Sequence, residues 1–213
     1  MITDRLIYFF EKANDKFISE DKELFELKVS ERTLCGALML HLHEILKETE
    51  FKKYHVDVEY NRNKGGKLKT IIKTIRAPEE RIITINCDLI VHSRGNMVNL
   101  DNLIAVEMKK SNRPHKEKES DKERLICLTK ESYDETWALV VQTVTENVLG
   151  LKWGVETWPF AGQTVPEHVC GYKLGIYYEI NFKKKKIYIE YYKKGEIFSR
   201  YEIDENTLYK NYL

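Results

Sequence analysis

"CDLIVHSRGNMVNLDNLIAVEMKK", Cys87 to Lys110, reads as a hairpin of two apolar strands, yet it carries Asp88 on one strand and Glu107 and Lys109 on the other. Strand interiors disfavour charges, and carboxylates facing each other across a ladder repel. Two explanations fit. Either these groups lie on a wet face, or something cationic sits between them.

Spacing sharpens the question. Residues i and i+2 of a strand share a face, so Glu107 and Lys109 point the same way. A hairpin centred between Met97 and Val98 pairs residues whose numbers total 195, which sets Asp88 opposite Glu107. Their Cβ atoms would then lie about 5 Å apart. Two carboxylates facing one gap suit a hard divalent cation such as Mg²⁺. Such an ion lowers the pKa of a water and polarises a phosphoryl oxygen, and a nearby lysine can orient that water or offset developing charge. The alternative is a surface cluster of Asp88, Glu107 and Lys109 held by ion pairs. Ile85, Ile90, Ala105, Val106 and Met108 surround the charges, which makes full solvation harder to credit.

Outward from the hairpin, the pattern alternates helix and strand. Asp4 can cap a first helix over about 4–17, with Leu6, Ile7, Phe10 and Ala13 on one stripe. Ser30 is placed to cap a second, whose stripe is Leu34, Cys35, Leu38, Leu42, Ile45 and Leu46. Glu31 begins that core-facing stripe and is a third candidate carboxylate, although a first-turn glutamate also suits the helix dipole. "YHVDVEYNR" (54–62) alternates like a half-buried strand, "NKGGKLK" is a turn, and 68–80 reads as a strand ending before Pro78. A helix over about 117–130 packs Leu125, Ile126 and Leu128 inward. "TWALVVQTV" could be a further strand in the irregular stretch 134–170. A β-meander follows from Tyr172, and "DENTLYKNYL" reads as a short closing helix. The order predicts one α/β domain spanning 1–213, a mixed β-sheet flanked by helices.

Composition narrows the function classes. The 213 residues are 42% hydrophobic and 32% charged, with 35 Lys+Arg against 34 Asp+Glu. A globular chain with no global basic field must hold any nucleic acid through a local patch. Cys35, Cys87, Cys127 and Cys170 show no zinc-ribbon spacing, and the first three lie in apolar runs as reduced core thiols would. "HLHE" (41–44) places its two histidines on diverging directions of a helix rather than on one zinc-binding face. The opening "MITDRLIYFFEK" lacks a signal-peptide cleavage pattern and no run is long enough to span a membrane, so a cytoplasmic protein is expected.

Glu31, then Asp88, then Glu107-x-Lys109 resembles the PD-(D/E)xK nuclease superfamily, the restriction-endonuclease-like fold. The wording "SERTLCGAL", "VDVEYNR", "CDLIVHSRG", "NLIAVEMKKSN", "DKERLICLT" and "GYKLGIYYEI" is similar to small uncharacterised or phage-associated members. The resemblance covers about 29–133 and 171–198, leaving 1–28 as an N-terminal helical extension and 134–170 as an insertion. The proline that names the motif is absent, Asn86-Cys87 standing before Asp88.

The resemblance implies a metal-dependent nuclease acting on phosphodiester bonds, with DNA rather than RNA as the expected substrate. It implies Mg²⁺ or Mn²⁺ held by Asp88 and Glu107, a catalytic Lys109 and a supporting Glu31; Glu59 could be a further ligand or a polar contact. Lys110, Lys118, Lys122 and Arg124 follow the active strand and the next helix, where such folds hold backbone phosphates. A homodimer is compatible with the sequence. The competing reading is a catalytically silent nuclease fold that binds nucleic acid or acts as a scaffold.

Overall fold

The computed structural model describes residues 1–60, 87–97, 100–130 and 170–213, together with the backbone of 70–76 and 79–84. The turn read at "NKGGKLK", the strand read at "TWALVVQTV" and all of the 134–170 insertion but Cys170 lie outside the described residues.

Three helices open the chain: α1 (Ile2–Glu20), α2 (Lys22–Glu26) and α3 (Glu31–Lys47). In α1 the stripe Leu6, Phe10, Ala13 and Phe17 is fully buried, as helical spacing requires. Ser30 Oγ accepts the Thr33 N–H at 3.1 Å and so caps α3, which buries Leu34, Cys35, Leu38, Leu42 and Leu46.

The strands are β1 (His55–Val58), β2 (Thr70–Arg76), β3 (Glu79–Thr84), β4 (Leu89–His92) and β5 (Asn102–Lys110). After α4 (His115–Thr129) come β6 (Leu174–Asn181), β7 (Lys186–Lys193), β8 (Glu196–Asp204) and β9 (Lys210–Tyr212). Seven strands form one mixed sheet in the order β1-β4-β5-β6-β7-β8-β9, and β2 pairs with β3 as a separate antiparallel ribbon. β5 and β6 run parallel, so the chain crosses the sheet between them, and α4 lies on that crossover; every other pairing in the large sheet is antiparallel.

The centre of the sheet is buried on both sides. Against α1 and α3 it turns Ile104, Val106, Met108, Leu174, Ile176 and Tyr178; against α4 it turns Ile90, Ala105, Tyr177 and Tyr192. The residues read as an N-terminal extension are part of the first layer: Phe10 meets the rings of Tyr178 and Tyr191 edge-on, and Tyr178 donates to Asn14 Oδ1 at 2.8 Å. Gly175 admits α4 closely, since a Cβ there would lie 2.9 Å from Thr129 Cγ2.

Three local expectations are corrected. Asp4 does not cap the first helix from outside: α1 begins at Ile2 behind Met1, and Asp4 lies within its first turn. Glu59 has φ 53°, which takes the chain out of the strand, so β1 is four residues rather than the nine expected. The closing segment is not a helix. Asp204 Oδ1 accepts the N–H groups of Asn206 and Thr207 at 3.0 and 3.1 Å, as a helix cap would, but Leu208 at φ 57° reverses the chain and β9 pairs with β8.

Candidate active site

Three pairs of the hairpin have the register that the sequence implies, Leu89 opposite Val106, Ile90 opposite Ala105 and Val91 opposite Ile104, each totalling 195; a register shift after Val91 then sets His92 opposite Asn102. Asp88 stands just ahead of β4, and its Oδ2 accepts the Met108 N–H at 2.7 Å. Alternation then divides β5. Met108 faces α3, its Sδ 3.6 Å from Cys35 Sγ, while Glu107 and Lys109 face α4.

On the α4 side the charges close into a chain. Glu107 is 1% exposed and its Oε1 accepts Arg124 Nε at 2.9 Å. Arg124 also donates to Asp121 Oδ1, and Asp121 Oδ2 lies 3.0 Å from Lys109 Nζ. Burial pushes the Glu107 carboxyl up to about 8; the Arg124 guanidinium opposes this and the Asp88 charge adds to it. Burial also raises Asp88, against the Met108 N–H and Lys109, which favour its charged form. For Lys109, burial works against the charge, but hydrogen bonding to Asp121 and the fields of Asp121 and Asp88 outweigh it and raise its pKa. Asp121 was not among the sequence candidates. The available signal was its position on one helical stripe with Leu125 and Leu128 and three residues before Arg124.

The α3 side is a cleft of about 290 Å³, lined by Asp88, Glu31 and Glu59 together with Arg32, Lys110 and Arg113. Glu31 Oε1 accepts the Lys110 N–H at 2.9 Å and Arg113 Nε at 3.1 Å, and Arg113 Nη2 lies 3.3 Å from Oε2. Burial would raise the Glu31 carboxyl, yet these donors together hold it below the usual range. Glu59 accepts both Nε and Nη2 of Arg32, and its backbone N–H reaches the Asp88 carbonyl at 3.2 Å. Asp88 is therefore the residue common to both sides. Glu31 and Glu59 share its cleft, and Glu107 and Lys109 feel its charge from the opposite face of β5.

The four cations expected to grip phosphates separate in the structure. Lys118 pairs with Glu179 at 2.9 Å, Lys122 lies 3.2 Å from Glu190 and over the Tyr177 and Tyr188 rings, and Arg124 is spent on Glu107 and Asp121. Only Lys110 belongs to the cleft, its Nζ donating to the Lys28 carbonyl at 3.1 Å. Taking Lys122 from buried Glu190 breaks a buried ion pair, which costs about 3–5 kcal/mol. The three α4 side chains consequently hold the helix to the sheet rather than line one row with Lys110.

A divalent ion can be tested against this donor set. Carboxylate oxygens are the donors that Mg²⁺ and Mn²⁺ prefer, and Asp88 Oδ1 and Glu107 Oε2 accept no hydrogen bond among the described residues. Among the described residues no group of three or more His, Cys, Asp and Glu is arranged to hold a metal ion. Asp88 and Glu107 could supply two carboxylates to such an ion, whose remaining ligands would be water or phosphate oxygens, as Mg²⁺ commonly accepts. Among the described residues no helix is long and apolar enough to cross a membrane. Comparison of the chain with family models, with curated proteins and with solved structures finds no match.

Proposed function

We propose that the chain is a divalent-metal-dependent nuclease with a restriction-endonuclease-like core, hydrolysing phosphodiester bonds in DNA in preference to RNA. The observation that carries this reading is the junction of β4 and β5, where Asp88, Glu107 and Lys109 lie within electrostatic reach of one another in an otherwise apolar part of the sheet. Perturbed carboxylates gathered beside a cleft are a recurring sign of catalytic sites.

Each side chain has a task under this reading. Asp88 and Glu107, once ionised, would hold Mg²⁺ or Mn²⁺, which supplies a polarising centre for a phosphoryl oxygen and an acidified water. The Met108 N–H fixes the Asp88 carboxylate, and Arg124 fixes that of Glu107. Lys109 keeps its proton at Nζ, held there by Asp121, and offers fixed positive charge to a developing oxyanion. Glu31 supports the end of β5 through the Lys110 N–H.

Supercoiled plasmid, linear duplex and single strands, each incubated with Mg²⁺, Mn²⁺ or EDTA, test the proposal. Metal-dependent cleavage is expected, and Lys109→Ala should abolish nearly all of it while leaving the fold and nucleic-acid binding largely intact, because Lys109 acts on the transition state. Cleavage by pure Lys109→Ala protein at the wild-type rate would place the chemistry elsewhere. The second reading, a silent nuclease fold that binds nucleic acid, draws on the pairing of Glu107 with Arg124 and of Lys109 with Asp121, which satisfies these groups without an ion. Binding without cleavage under every metal would favour it.

A further inference from the structure

Two arginines that the resemblance does not assign flank the cleft. Arg32 rises from the first turn of α3 and Arg113 from the loop after β5, and both line the cleft with Asp88. Their side chains are 71% and 49% exposed, against 16%, 23% and 28% for Lys118, Lys122 and Arg124. Each guanidinium is gripped through Nε and Nη2, Arg32 by Glu59 and Arg113 by Glu31. A guanidinium has five N–H donors, so the grip leaves Nη1 and part of Nη2 for another acceptor.

We infer that Arg32 and Arg113 are the phosphate-binding forks of the cleft, aimed by Glu59 and Glu31, and that the ligand they recognise is the phosphodiester backbone of a nucleic acid. This rests on the nuclease reading and names its substrate-gripping residues. A carboxylate that holds a guanidinium in one orientation removes rotamer freedom before the ligand arrives, so less is lost on binding. The planar fork matches two oxygens of a phosphate, which a lysine cannot do. Lys110 adds a third positive charge at the same cleft. A cleft of about 290 Å³ is near the lower end of small-ligand sites, so one phosphodiester unit enters it and the remainder of the polymer crosses the rim. That unit would then lie beside Asp88. On this assignment Glu59 serves as a positioning residue for Arg32, and not as a ligand of the ion.

The test is binding of fluorescein-labelled single-stranded and duplex oligonucleotides to the full chain in EDTA, across a salt series. Wild type should bind with a steep salt dependence. Arg32→Gln with Arg113→Gln should weaken binding roughly tenfold or more and reduce the slope of log K against log salt by about 1.4–1.8, the release expected for two phosphate contacts. Arg32→Lys with Arg113→Lys keeps the charge and loses the fork; it should restore the slope but only part of the affinity. Lys183→Gln with Lys184→Gln removes two charges from the exposed β6–β7 turn and should leave the slope unchanged. If wild type binds and the glutamine pair binds with the same affinity and slope, the inference fails while the nuclease reading stands. A glutamine pair too unstable to assay leaves the lysine pair to decide, and full wild-type affinity there overturns the fork. A turn variant that loses as much slope as the glutamine pair also overturns it. If wild type binds neither oligonucleotide, the inference fails, and cleavage in Mg²⁺ or Mn²⁺ decides the nuclease reading separately.

Discussion

The Asp121 carboxylate, on α4, lies 3.0 Å from the Lys109 ammonium, on β5, and the same carboxylate accepts Arg124. A buried anion thus holds two cations that belong to different layers of the fold. Asp121→Asn keeps the shape and removes the charge, leaving Lys109 without its buried carboxylate and Arg124 with Glu107 alone. Breaking such a buried arrangement costs about 3–5 kcal/mol. For a chain of this size that is roughly 6–20 °C in melting temperature. A melt of the variant within about 2 °C of wild type would show that the network contributes little to stability.

Glu107 gives a pH dependence with a definite sign. Its carboxyl is raised from 4.5 to about 8 in the folded chain, so folding favours its protonated form. The stability linked to it is fully present below pH 4.5 and is lost progressively as pH rises toward 8. Glu107→Gln, which cannot ionise, escapes that loss. The melting temperature of wild type relative to Glu107→Gln should therefore fall between pH 5 and pH 8.5. A constant difference across that window would mean that Glu107 is already ionised at the acid end.

A divalent cation should act in the opposite direction. At ten times its dissociation constant, an ion that binds only the folded state adds about 1.4 kcal/mol, or roughly 3–6 °C. Mn²⁺ is expected to raise the wild-type melt by that much, and by more at pH 8 than at pH 6 because protons compete for Glu107. Asp88→Asn should remove most of the shift and melt no lower than wild type in EDTA, since burial already disfavours the Asp88 charge. A surface ion-pair cluster predicts the reverse: no Mn²⁺ response and a small loss on mutation.

Gly175→Ala tests how closely α4 must sit. The added methyl would meet Thr129 Cγ2 at 2.9 Å and Tyr192 Cβ at 3.1 Å. Overpacking of this kind costs about 1–3 kcal/mol, and relief requires α4 to lift away from β6. Asp121 and Arg124 ride on that helix, so cleavage should fall further than the melting temperature alone would explain. Unchanged stability would mean that Thr129 rotates out of the way at little cost.

The pairing of Leu89 to Val91 with Ile104 to Val106 was legible from alternation, whereas the shift that sets His92 opposite Asn102 was not. The helix caps at Ser30 and the meander from β6 to β8 were legible for similar local reasons. What the sequence concealed depends on partners distant along the chain. Lys118 and Lys122 look like solvent-facing charges until β6 and β7 bring Glu179 and Glu190 beneath them. Asp121 acquires its role only when β5 lies under α4. The misread tail has a different cause. Asp204 presents the same acceptor geometry to a turn as to a helix, and only the backbone at Leu208 separates the two outcomes.

The contacts of α1 set the order in which this chain can mature. Glu11 accepts the hydroxyls of Tyr191 and Tyr201 and the Lys210 ammonium, partners 180, 190 and 199 residues further on. During synthesis the apolar stripe of Leu6, Phe10, Ala13 and Phe17 therefore emerges long before the strands that cover it. α1 must wait for β7, β8 and β9. Until β6 to β8 have left the ribosome, the nascent chain carries that stripe as exposed hydrophobic surface.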